Sequence, residues 1–165
     1  MNKSIKRITV IFMSTLLAFT LIGCSSGTGS TTSNKPKAKP KPKITAQYIV
    51  DTLKAKEGSY MTNITVVTAE NDENKLLGRP NQYVQKITWK DSRSKDSNVD
   101  CSVEFFNNKE DATARKTYLQ NIIKSMPMLT QYIEQNNKAL LRIDGVLTPD
   151  QSKEYMDIFK TISDN

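Results

Sequence analysis

Serine, cysteine and carboxylate side chains are where a reaction would have to start in this chain, because its 165 residues include no histidine. That removes Ser–His–Asp and Cys–His nucleophile systems and imidazole metal sites. The segment SRSK, 92–95, has the Ser-x-x-Lys spacing of a lysine-activated serine, but no Lys-Thr-Gly accompanies it and its surroundings read as a polar turn. Seventeen acidic residues keep paired-carboxylate glycan hydrolysis open in principle, with no apolar pocket arguable around any pair. ENDEN, 70–74, offers oxygens to calcium yet lacks the calcium-loop spacing and its turn glycine, and reads as a solvated acidic loop. GTGS, 27–30, has neither strand nor helix around it, so it is no phosphate loop. The expectation is therefore no catalytic set, no metal and no cofactor. Arg79, Tyr83 and Trp89 are types enriched at protein–protein hot spots. Trp89 reads as the core of a strand. Arg79 and Tyr83 are the candidate partner contacts, against the alternative that Tyr83 faces inward with Ile87 and Trp89.

The two cysteines, Cys24 and Cys101, have different settings. Lys3, Lys6 and Arg7 precede an apolar run of fifteen residues, 8–22, which is too short for the roughly 20 residues of a membrane-spanning helix. Small residues follow at once in LIGCSSG, 21–27, the layout of a secretory signal. LIGC resembles the lipobox of bacterial lipoproteins. The resemblance implies cleavage between Gly23 and Cys24, with diacylglyceryl and palmitate-type chains on the cysteine as a lipid anchor in the cell membrane. Two acyl chains, at about 0.8 kcal/mol per buried methylene, hold a protein stably where one does not. Cys101 then has no partner for a disulfide. It lies in the alternating run VDCSVEF, 99–105, on the face of Val99, Val103 and Phe105, and reads as a small buried hydrophobe.

The formal charge of +7 belongs to the front of the chain. Residues 1–43 hold eight basic residues and no acid, which leaves 16 basic and 17 acidic residues from Ile44 on, a net of −1. A nucleic-acid partner therefore loses its main support. KPKAKPKPK, 35–43, alternates lysine with proline and reads as a semi-rigid spacer after the flexible SSGTGSTTSN, 25–34. Its nine residues reach about 28 Å at roughly 3.1 Å each. Its five lysines make anionic lipid or wall polymer a candidate contact. The expected organisation is a signal peptide, 1–23, a lipidated cysteine and tether, 24–43, and one monomeric domain, 44–165.

Within that domain, Ile44, Tyr48, Ile49, Thr52 and Leu53 have helical spacing, with Thr45 as N-cap and Gly58 as stop. NITVVTA (63–69), QYVQKITW (82–89) and VDCSVEFF (99–106) read as strands, with Tyr83, Gln85, Ile87 and Trp89 on one face. Asn108 caps a helix whose stripe is Ala112, Leu119, Ile122, Ile123 and Met126, and Pro127 breaks it. Pro127 also fits the first turn of a short second helix carrying Leu129, Tyr132 and Ile133. NKALLRI, 137–143, is a fourth strand, and Thr148, Pro149 and Gln151 open a last helix with a capping box. The order α-β-β-β-α-β-α predicts an α+β fold, a four-stranded antiparallel sheet with helices packed on one face. The aperiodic loop 70–82 is long enough to be functional.

NKLLGRPNQYVQKITWKDSR, VEFFNNKEDATARKTYLQNIIKSMPML and ALLRIDGVLTPDQSKEYMDIF together resemble small lipoproteins of Gram-positive bacteria and their mobile elements. That resemblance implies a Gram-positive cell envelope and a single α+β domain, and nothing catalytic. LLGRP before a strand is also similar to small envelope and inhibitor domains with a helix pair on an antiparallel sheet. The leading expectation is a non-enzymatic binding module on the extracytoplasmic face, engaging a protein or wall component through loop 70–82 and the adjoining sheet. The alternatives are a mobile-element envelope protein that blocks phage from entering or inhibits a wall enzyme, and a carboxylate-dependent wall glycan hydrolase.

Overall fold

The computed structural model describes residues 42–95 and 100–162. The leader, Cys24, nearly all of the tether and Val99 lie outside the described residues. Helix α1 (Ala46–Glu57) begins where the Thr45 side chain accepts the Tyr48 amide, and it stops at Gly58. Strands β1 (Met61–Val66), β2 (Gln85–Asp91) and β3 (Cys101–Phe105) follow. Helix α2 (Lys109–Ser125) starts on the Asn108 side chain, which accepts from the Asp111 amide. Pro127–Leu129 forms a single 3-10 turn, then come β4 (Gln131–Asn136), β5 (Ala139–Asp144) and helix α3 (Pro149–Thr161). Thr148 and Gln151 complete the capping box on α3 in both directions.

The five strands form one antiparallel sheet in the order β1-β2-β3-β5-β4. The α+β class and the antiparallel sheet stand, but the expected four strands become five. The segment expected to continue Pro127 as a helix is β4 instead. Its residues pair with β5 from Gln131↔Asp144 to Asn136↔Ala139, across a two-residue turn with Asn137 at φ 48°. A proline can open a helix turn, but here the strand-pairing partner and the left-handed asparagine decide the outcome. At the far end of this hairpin Gly145 meets the Thr130 carbonyl: a Cβ there would lie 2.0 Å from that oxygen.

The helices lie on both faces of the sheet, not one. On the first face α1 and α3 cover Ile87, Trp89, Cys101, Val103, Leu141 and Ile143. Gln85 ties α1 to this face by accepting the Ala46 amide at 3.0 Å, and the Trp89 and Tyr155 rings meet at 6.0 Å between centroids. On the second face α2 packs Ala112 and Leu119 against Tyr83, Phe106 and Leu140. The strand alternation that places Gln85, Ile87 and Trp89 together stops at Gln85. Tyr83 precedes the strand and belongs to the second core, corrected from its expected place beside Ile87 and Trp89.

At one edge, β1 carries one extra residue relative to β2: Thr62 pairs with Lys90 and Thr65 with Thr88. Asn63 sits inside that bulge at φ 50°.

Candidate anion-binding groove

The second face of the sheet is polar where α2 crosses it. Alternation puts Lys86, Ser102, Glu104 and Arg142 on that face. Glu104 lies directly opposite Lys86, and Arg142 one pair along, opposite Ser102. Helix α2 lays Arg115 over them. Glu104 is 0 % exposed, and its oxygens meet three cations: Arg142 Nη1 at 2.6 Å, Arg115 Nε at 3.2 Å and Lys86 Nζ at 3.8 Å. Burial pushes the Glu104 carboxyl up. Arg142, Arg115 and Lys86 outweigh that push, so it stays below the usual glutamate value and ionised. Burial is also the main reason Lys86 is held below the usual lysine value, with Arg142 and Arg115 adding to the effect.

A second carboxylate organises the loop beside this cluster. Asp72 is 2 % exposed. It accepts the Leu76 and Leu77 amides at 2.8 Å each, the Asn74 amide at 3.2 Å and the Tyr83 hydroxyl at 2.8 Å. Burial raises its carboxyl, yet these donors together hold it below the usual aspartate value. The expected solvated acidic loop is thus wound around a buried acid, with Lys75, Gly78 and Asn81 in left-handed conformations. Lys86 closes the link to the cluster, its Nζ 5.2 Å from the Tyr83 ring centroid.

Above the cluster lies a groove of about 390 Å³ between α2, the loop and the sheet. Leu76, Tyr118, Ile122 and Leu129 contribute apolar walls, and Asn74, Gln131, Arg115 and Arg142 the polar lining. A neighbouring hollow of about 340 Å³ shares Ile123 and Gln131 with it. Arg142 Nε binds Gln131 Oε1 at 3.0 Å. Among the described residues, Nη1 and Nη2 of Arg115, Nη2 of Arg142 and Nε2 of Gln131 make no hydrogen bond within the protein. The Arg115 guanidinium lies 5.6 Å from the Tyr118 ring centroid. The rim is apolar and open: Tyr118 is 57 % exposed and Leu129 48 %.

Of the two candidate contacts, Arg79 is exposed in the loop. Tyr83 is corrected: it has no exposed surface, and burial with the Asp72 bond raises its hydroxyl well above the usual tyrosine value. Trp89 is core, as its strand position implies, and its Nε1 has no hydrogen-bond partner among the described residues. Cys101 is a buried free thiol, pushed up to about 12 chiefly by burial. SRSK forms the turn after β2. Asp91 takes Arg93 there in a two-pronged pair at 3.0 and 2.8 Å, and Ser94 donates to Asp144 at 2.7 Å. Among the described residues no three cysteine or acidic side chains cluster to share a metal ion. Glu104 and Arg142 escape sequence reasoning because a charged alternate in a strand reads as facing water, and Arg115 because a charge off the apolar stripe of a helix reads the same way. The one available signal was a glutamate inside the apolar run VEFF, 103–106. In comparisons with family models, curated proteins and solved structures, none matches this chain.

Proposed function

We propose that the chain is a lipid-anchored, non-enzymatic binding module on the extracytoplasmic face of the cell membrane, and that it holds its partner in the groove beneath α2. The basic n-region, the short apolar run and LIGC support the anchor on Cys24. One observation carries the binding half: two arginines that line an apolar-walled groove are both held from behind by a buried glutamate, and among the described residues their outer nitrogens have further hydrogen bonds to give. A side chain pinned from behind loses little freedom when it meets a ligand in front. The loop 70–82 takes part through Asn74 and Leu76 in the groove wall, with Arg79 a further contact on its exposed side.

Site-directed photo-cross-linking in intact cells tests this reading. A benzoylphenylalanine in place of Tyr118, on the groove rim, is expected to trap a discrete adduct. The same group in place of Glu57, at the end of α1 on the other face, is expected to trap none. No adduct at 118, or equal labelling at both positions, refutes the groove as the binding surface.

A further inference from the structure

We propose that the groove beneath α2 receives the carboxylate end of an apolar peptide, an assignment that rests on the binding-module reading and gives it a ligand class. The first argument is the balance of donors and acceptors. Both Glu104 oxygens are taken by Arg142, Lys86 and Arg115, and Gln131 Oε1 is taken by Arg142. What Arg115, Arg142 and Gln131 have left to offer is donors, the outer guanidinium nitrogens and the Gln131 amide nitrogen, and Asn74 adds one amide with both a donor and an acceptor. Such a floor asks for an anion.

The second argument is charge. At the floor, Lys86, Arg115 and Arg142 stand against Glu104 and the adjoining Asp72, which leaves one positive charge there, with Lys124 farther along in the adjoining hollow. A carboxylate carries one negative charge. A phosphate monoester carries about −1.5 to −2 at pH 7 and would overfill the site. The planar guanidinium fork also matches a carboxylate in shape.

The third argument is what surrounds the floor. Leu76, Tyr118, Ile122 and Leu129 suit an apolar side chain next to the charge. Asn74 and Gln131 line the same groove and suit peptide amides, whereas a fatty-acid tail would leave these groups facing hydrocarbon. The adjoining hollow continues past Ile123 and Gln131, which gives a track longer than a single amino acid needs. Its volume, like that of the groove, lies in the range of small-ligand sites.

The test uses the full chain in phosphatidylcholine nanodiscs. The probe is dansyl-Gly-Ser-Leu-Val-Leu as the free acid, read by fluorescence anisotropy against the same peptide ending in an amide. The acid is expected to bind at least about tenfold more tightly than the amide, as one charge-assisted contact implies. Arg115→Gln should remove most of that difference and leave amide binding nearly unchanged. Leu129→Ser, at the half-exposed rim, should weaken acid and amide by similar factors and so serves as a variant that leaves the cation cluster intact. Equal affinity for acid and amide, or a difference that survives Arg115→Gln, overturns the assignment. Decanoate that binds more tightly than the peptide acid overturns it as well, in favour of a fatty acid. A photo-adduct at position 118 together with equal acid and amide affinities would leave the binding-module reading standing and remove this one alone.

Discussion

Replacing Glu104 with glutamine probes the cluster most directly, because the side chain keeps its shape and loses only its charge. Three cations then face one another across a buried amide. Removing one partner of a buried ion pair typically costs about 3–5 kcal/mol, most of it the penalty of leaving the remaining charge uncompensated. Against a total stability of about 5–15 kcal/mol for a small domain, Glu104→Gln should remain folded but unfold at clearly lower urea. Adding Lys86→Met takes away the most desolvated of the three cations and should restore part of the loss, a coupling of about 0.5–3 kcal/mol in a double-mutant cycle. The acid limb supplies an independent readout. The Glu104 carboxyl is lower in the folded chain than in the unfolded one. Its contribution is therefore present above the unfolded value of about 4.3 and fades as pH falls below it. Asp72 and Asp91 are shifted the same way, so in Glu104→Gln the acid limb should be shallower without disappearing. The assay is urea unfolding followed by circular dichroism from pH 7 down to about pH 3. A Glu104→Gln midpoint at pH 7 within error of the parent, with the acid limb unchanged, would refute the claim that Glu104 holds the cations in place.

Tyr83→Phe removes the hydroxyl that meets Asp72 and should cost about 1.5–3 kcal/mol in the same melts, with faster hydrogen exchange at the Leu76 and Leu77 amides. Thr148→Ala removes the N-cap and half of the capping box on α3 and should cost about 0.5–2 kcal/mol, while an unchanged midpoint would mean that the helix does not depend on that cap. Gly145→Ala puts a methyl 2.0 Å from the Thr130 carbonyl, so it should lower the thermal midpoint and loosen the link between the 3-10 turn and β5, as amide exchange around Thr130 would record. Cys24→Ser should release the chain from the membrane or leave it unprocessed, and a mutant still cleaved and membrane-bound in fractionation would rule out the lipid anchor.

Helix ends were legible because their chemistry is local. Thr45, Asn108 and Thr148 each cap the helix that follows within three residues, so nothing distant needs to be known. Strand β4 was not legible. As an edge strand, half-buried along its whole length, it shows neither a clean apolar face nor a clean polar one. Tyr132 donates to the Leu147 carbonyl on one side while Ile133 packs into the second core on the other. The covered second face failed for a more general reason. Lys86, Glu104 and Arg142 alternate with apolar residues, the pattern of a sheet with one wet side. Charges that satisfy one another can instead lie under a helix, and only the pairing of β2, β3, β5 and α2 brings these together. Asp72 misled in the same way, since its donors are amides and a tyrosine up to 11 residues away.

The bulge in β1 bears on how such a chain behaves in company. On the lipid-anchored reading proposed above, copies of the chain would share a thin layer of solvent at the bilayer, where encounters between them are far more frequent than their bulk concentration would suggest. An open sheet edge in that setting is a template on which a second copy can add its own strand, the first step toward insoluble fibres. Strand β1 is such an edge. Between Thr62 and Thr65 its ladder slips by one residue, and Asn63 turns the backbone into a left-handed conformation there. An incoming strand could keep register on one side of that kink but not across it. Straightening the edge, by deleting Asn63 or placing a β-branched residue there, would keep most of the fold's contacts while removing its protection against self-association.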